Sequence, residues 1–252
     1  MFRGLYLGAS GMLAAQHLND VVADNLANVN TPGYKRDIGV AKTFSQELML
    51  RMEAGKPGTI ANNSAPIGAV DSGVVIDRIT SGFSAGPLVA TNNSTDLALA
   101  GQGFFSISTP DGVKYTRSGN FQLDGAGNLV TSQGYKVMGV KGPVSGLTSD
   151  NFAVLADGTI TQNGQAIDRL AIVDFPPDAL RKAGDNLFTS QSPPLAARSY
   201  SVKQKFLEQS NVDVAREMGA MMTALRSYEA NQKVIQTLDS NMEKAANEIG
   251  KL

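Results

Sequence analysis

The chain has 252 residues, enough for one large domain or two small ones, and 42% of them are hydrophobic, enough to build a core. Lys+Arg 22 against Asp+Glu 23 leaves a formal net charge of -1, with no basic excess to neutralise phosphates, so no nucleic acid partner is expected. The absence of cysteine excludes disulfides and thiolate chemistry, and 6% aromatics without Trp argue against a sugar-stacking platform.

Residues 1–28 have a helical pattern. Leu5, Ala9, Met12, Leu13, Ala23 and Leu26 share one broad face. Gly8, Gly11, Ala14 and Ala15 would let another backbone approach closely, while Gly4, Gly8 and Gly11 each weaken the helix by about 1 kcal/mol relative to Ala. Such a helix needs a partner. Arg3 before a semi-apolar run superficially resembles a signal peptide. Gly4, Gly8, Ser10, Gly11 and Gln16 dilute that run, and no clean cleavage site follows. Asn30-Thr31-Pro32-Gly33 stops the helix, because Pro32 removes a donor and Gly33 permits a positive φ.

The spacing of Phe44, Leu48 and Met52 predicts a second amphipathic helix within 38–52. Residues 55–73 are polar and rich in Gly, Pro and Asn, and read as a long loop or arm.

From 74 to 188 short β-branched and aromatic runs alternate with turn signals, as in all-β folds. Strands are predicted over 74–80, 103–108, 113–117, 120–123, 129–131, 136–140, 153–156, 159–162 and 170–175. Asp111-Gly112, Asp124-Gly125, Asp157-Gly158 and Asn163-Gly164 are hairpin turn pairs. Residues 178–183 read as one short helical turn, and 190–197 as an irregular crossing.

Residues 211–252 contain no Pro and only Gly219 and Gly250. Val214, Met218, Met221, Leu225, Tyr228, Ile235, Met242 and Ile249 recur at heptad spacing, with Met222 and Leu238 widening the seam. A continuous helix here would be about 60 Å long, and a stripe of that length needs a partner. No run approaches the roughly 18 to 20 apolar residues that cross a bilayer, so the chain is read as not membrane-spanning.

The fold class is therefore α+β: long N- and C-terminal helices packing as a coiled-coil-like layer, with an inserted all-β domain. Segments 1–35 and 200–252 form a terminal helical assembly domain, 36–73 a helix or extended arm linker, and 74–199 a β-rich domain.

Enzymatic chemistry is poorly supported. Gly101-Gln102-Gly103 lacks the third glycine and the helix of a dinucleotide loop. His17 is the single histidine, and no His/Cys cluster has metal-ligand spacing. Asp111, Asp124 and Asp157 each precede a turn glycine and read as turn formers. No catalytic, metal or cofactor residue, no cofactor and no small-molecule substrate is assigned.

Three stretches carry a resemblance. They are Asp24-Asn25-Leu26-Ala27-Asn28-Val29-Asn30-Thr31-Pro32-Gly33-Tyr34-Lys35-Arg36; then Thr95-Asp96-Leu97-Ala98-Leu99-Ala100-Gly101-Gln102-Gly103-Phe104-Phe105 with Tyr115-Thr116-Arg117-Ser118-Gly119-Asn120-Phe121; and Leu207-Glu208-Gln209-Ser210-Asn211-Val212-Asp213 with Arg226-Ser227-Tyr228-Glu229-Ala230-Asn231. In this order they resemble the N-terminal, central and C-terminal signatures of the flagellar hook and rod protein family, bacterial axial proteins. Length and a single β insertion are similar to the rod proteins, and the run from Asp174 to Phe188 leans towards the proximal type; a distal rod or hook subunit is the alternative.

The resemblance implies a non-enzymatic subunit, exported by the flagellar type III apparatus, that joins copies of itself and other rod and hook proteins in the basal body crossing the cell envelope. Assembly contacts are expected at Leu5, Met12, Asn25, Leu26, Asn28, Thr31, Gly33 and Tyr34, and at Met218, Met222, Leu225, Tyr228, Asn231, Ile235 and Leu238. Removing residues 1–35 is expected to leave the β domain folded. A secreted enzyme or carbohydrate-binding β domain acting on cell wall is the competing class. It would need converging acids or an aromatic shelf, and the sequence offers neither.

Overall fold

The computed structural model describes residues 2–43, 46–52, 64–71, 73–148, 152–176, 179–197 and 199–249. The architecture is α+β, with a helix at each end and a β-rich middle. The chain divides into two compact units.

The first unit comprises Met1–Asp24, Asp37–Ile79 and Ala215–Leu252. It holds nearly all of helix α1 (Phe2–Ala27) and helix α2 (Val214–Ile249). Glu217 lies in the first turn of α2, where a carboxylate complements the helix dipole. The helices meet through the small residues of α1. A Cβ at Gly4 would come within 2.9 Å of Leu238 Cδ1, at Gly8 within 2.8 Å of Ile235 Cγ1, and at Gly11 within 2.7 Å of Asn231 Nδ2. Partner numbers fall as α1 numbers rise, so the pair is antiparallel. The missing side chains at these glycines let Leu238, Ile235 and Asn231 approach the α1 backbone closely, against the poor helix propensity of glycine.

The inward line of α2 runs through Glu217, Met221, Ala224, Tyr228, Asn231, Ile235, Leu238, Met242 and Ala245, alternating four and three. It shares Met221, Tyr228, Ile235 and Met242 with the seam read from the sequence. Val214, Met218 and Leu225, which that seam also contained, are exposed. The Ile249 side chain lies outside the described residues. On α1, Gly8, Ala14, Ala15, Val21 and Val22 are buried, whereas Ala9, Leu13 and Ala23 of the expected face are exposed.

The predicted 38–52 helix is not formed. Asp37–Thr43 is a strand paired with Val74–Ser81, and Gln46–Met52 pairs antiparallel with Ser64–Asp71, from Gln46 opposite Asp71 to Met52 opposite Ser64. The expected loop over 55–73 is thus a strand in its second part. Spacing of four gave a helical period, but a strand partner some twenty residues on satisfies the backbone instead. Phe44 and residues 53–63 lie outside the described residues.

The second unit comprises Asn25–Arg36 and Thr80–Val214. Its main sheet runs in the order Leu180–Lys182, Leu187–Ser190, Gly112–Thr116, Phe104–Thr109, Lys136–Val137, Leu129–Val130, Gln122–Leu123. Ile172–Asp174 also pairs with Phe104–Thr109, and Leu195–Ala196 pairs with Ile172–Asp174. Phe152–Val154, Thr159–Gln162 and Gln165–Arg169 make a separate three-stranded sheet. Leu97–Gly101 pairs with Tyr200–Gln204, and Leu88–Ala90 with Phe206–Glu208.

One buried cluster including Leu97, Leu99, Phe105, Ile107, Leu129 and Ile160 forms the core. A second joins Phe104, Phe175 and Phe188, with Phe83 set edge-on to Phe104 at 5.5 Å. Asn163 (φ 52) and Gly164 (φ 79) make the expected hairpin turn. Of the helical turn predicted over 178–183 only Ala179 is helical among the described residues, its N–H donating to Pro176 O, and Leu180–Lys182 is instead a strand paired with Leu187–Ser190.

Candidate functional site

The stop after α1 is built into the second unit. The backbone N–H of Thr31 donates to Asn28 O, and the Thr31 hydroxyl donates to Asn28 Oδ1. Gly33 turns the chain at φ +69, and a Cβ there would lie 2.4 Å from the Ser118 nitrogen. Only glycine meets both conditions. Its N–H donates to Glu208 O at 2.7 Å. Tyr34 is buried, its hydroxyl donates to Asn25 Oδ1, and Lys182 Nζ lies 4.0 Å from its ring centroid, close enough for a cation–π contact.

Lys35 follows, with its side chain only 2% exposed. Its Nζ donates to Glu208 Oε1 at 2.6 Å and to Ser84 O at 2.8 Å. Glu208 Oε1 also accepts from Gly86 N, and Oε2 accepts from Arg117 Nε at 2.5 Å. The remaining guanidinium donors of Arg117 reach the carbonyls of Leu99, Gly101 and Gly103. Asn211 lies beside them in the same unit, accepting from Arg36 N at 2.8 Å and donating to Gly82 O at 2.7 Å. Lys35, Arg117 and Glu208 come from three different sequence signatures, and the fold brings them into one buried ion cluster.

Burial pushes the Glu208 carboxyl up, but Arg117 and Lys35 beside it outweigh burial and hold it below the usual carboxylate range. Burial pulls the Lys35 ammonium down, only partly opposed by Glu208. For the pair, one shift favours charge and the other disfavours it. Geometry decides for the ionised pair, since Nζ sits within donor distance of both a carboxylate and a carbonyl. Among the described residues no group of three or more His, Cys, Asp or Glu is placed to hold a metal ion.

The expected contact residues separate into three sets. Asn25, Gly33 and Tyr34 are buried within the second unit. Leu5, Met12, Leu26, Asn28, Thr31, Tyr228, Asn231, Ile235 and Leu238 are half-buried, the last three against α1 glycines. Met218, Met222 and Leu225 are about half exposed, at 53%, 56% and 48%. Sequence reasoning did not single out Lys35, Arg117 or Glu208. Their signal was a charged residue inside each matching string, which by itself looks the same as a solvated one.

Three family profiles match the chain in order: "Flagella basal body rod protein" over residues 5–35, "Flagellar hook protein FlgE/F/G D1 domain" over 98–168, and "Flagellar basal body rod FlgEFG protein C-terminal" over 203–248. Flagellar basal-body rod protein FlgG of Agrobacterium fabrum is 38% identical, across 94% of this chain and 95% of the relative. The chain belongs to the flagellar basal-body rod protein family. Within this family, FlgF of Caulobacter vibrioides is 32% identical over the whole of both chains. The flagellar hook-basal body complex protein FlhO of Bacillus subtilis is 34% identical, also over the whole of both. Similarity to FlgF- and FlgG-named rod proteins is consistent with a proximal-rod type. As a family member the chain is a structural protein of the flagellar basal body.

Proposed function

We propose that this rod subunit works by coupled ordering and assembly: its first unit is completed by neighbouring subunits, and its second unit is complete alone. The carrying observation is that the helices leave large apolar side chains exposed with no core of buried Leu, Ile or Phe behind them among the described residues, whereas the exposed Val113, Val140, Leu155 and Leu195 belong to a unit that has one. Tyr6, Leu7 and Leu13 on α1, and Met218, Met222, Leu225 and Val234 on α2, face solvent in the single chain. Covering them in a polymer offsets the entropy of ordering long helices. A head-to-tail contact that does not close would extend into a helical tube. The α1–α2 pair supports a coiled-coil-like inner layer, with copies of this chain and other rod and hook proteins as neighbours. Delivery by the flagellar export apparatus and a purely structural, non-enzymatic role follow from the same reading. Among the described residues no helix is long and apolar enough to cross a membrane, so contact with the envelope would come through assembly.

Leu225→Asp in the full chain tests this in a bacterium lacking its own copy. The substitution places an unpaired charge at the proposed contact. Basal bodies without completed rods, and loss of swimming, are expected. Normal rods and wild-type swimming would remove α2's exposed stripe from the assembly surface.

A further inference from the structure

The buried ion cluster lies wholly within the second unit and has no part in covering the exposed stripes. We propose that Lys35, Glu208 and Arg117 form a preassembled clasp that holds segment 25–36 on the β-rich unit in the free chain, before any neighbour is met. This rests on the reading that the helices beyond it are completed in the polymer.

Three observations carry it. The cluster spans long separations, 173 residues between Lys35 and Glu208 and 91 between Arg117 and Glu208. Closing loops of that length costs chain entropy, a cost already met once the β-rich unit is folded. The three side chains are 2%, 1% and 5% exposed, so none can leave without stranding another buried charge. They are therefore held or released together. Backbone hydrogen bonds of the same segment join it to the unit beside the cluster, from Gly33 N–H to Glu208 O, Gly82 N–H to Arg36 O and Arg36 N–H to Asn211 Oδ1, and these are the bonds that the cluster would hold closed.

The consequence is a sharp division inside one continuous stretch of sequence. Residues up to Asp24 belong to the unit that assembly completes; residues from Asn25 to Arg36 belong to the unit that is complete beforehand. The turn signature then anchors α1 to its own chain.

Amide hydrogen exchange on the free full-length chain tests this. The Gly33 and Arg36 amides are expected to be protected to the same degree as those of Leu97–Gly101. In Glu208→Gln, their protection should fall at least tenfold while Phe104–Thr109 stays protected. Lys35→Met keeps the Arg117–Glu208 pair, so it serves if Glu208→Gln does not fold, and should show a smaller fall at the same amides. Wild-type Gly33 and Arg36 exchanging as in an unfolded peptide, or unchanged protection in the folded variants, would overturn the clasp. Because the readout is on the free chain, failure of the assembly reading in cells leaves this result unaffected.

Discussion

The two units bury their apolar residues very differently. In the second, Phe, Leu and Ile side chains from many strands close one core, with Leu97, Ile107 and Leu129 fully buried. In the first, the buried apolar residues among those described are Ala14, Ala15, Val21, Val22 and Ala224, while its larger side chains remain half or fully exposed. A Leu or Phe buried on folding contributes about 1.5–3 kcal/mol, several times an Ala methyl. The second unit therefore has a core of its own, while the first leaves its largest apolar groups exposed in the single chain. On the proposed reading, this contrast is what makes the ends, rather than the middle, the surfaces for assembly.

The largest effect expected is on the self-sufficient side. Glu208→Leu leaves Lys35 and Arg117 buried without their carboxylate and should destabilise the second unit by about 3–5 kcal/mol. The midpoint of its urea unfolding would show this; an unmoved midpoint would mean that the cluster is not holding the unit together. Gly33→Ala comes next, costing about 1–3 kcal/mol from the positive φ, with the Ser118 clash in addition. Its expected signature is a lowered midpoint with the sheet circular dichroism retained.

Truncation sharpens the contrast further. Deleting residues 2–24 should leave the second unit's unfolding midpoint nearly unchanged. Deleting 2–35 also removes Gly33, Tyr34 and Lys35 and should lower it clearly, contrary to what the sequence suggested. Equal midpoints for the two truncations would place segment 25–36 with the helices.

The pH response follows from Glu208. Its carboxyl lies below the usual range when folded, so its contribution is fully present above the unfolded value of about 4.3 and is lost as pH falls through the folded one. Asp124 and Asp157, held low by hydrogen bonds from Asn128 and Thr159, act in the same acid range. The stability gap between wild type and Glu208→Gln should therefore be constant near neutrality and narrow below about pH 4. A gap that widens on acidification would reverse the assignment. The smallest stability effect belongs to Leu225→Asp, within about 0.5 kcal/mol for the free chain because the site is exposed there.

Much of this contrast was legible in the sequence, though unevenly. Heptad spacing and the missing prolines gave α2, and Asn163-Gly164 gave its hairpin, because those signals are local. Phe44, Leu48 and Met52 suggested a helix because spacing cannot reveal that Ser64–Asp71 would pair with Gln46–Met52. Leu97–Gly101 carries no turn signal of its own and becomes a strand by pairing with Tyr200–Gln204. At the site, Gly33 and Tyr34 stood out as an unusual string. The distance of 173 residues hid the link from Lys35 to Glu208. The heptad pattern showed that α2 has a stripe, but Met218 and Leu225 and the inward line differ by less than one helical turn, so only packing separates them.

Chemical labelling tests the difference between the units most directly. The chain has no cysteine, so Met222→Cys introduces a single thiol on the exposed face of α2. Maleimide should label it readily in the free chain and barely at all in isolated rods containing the same variant. Equal labelling in both states would show that this face stays open to water in the polymer and would contradict the account.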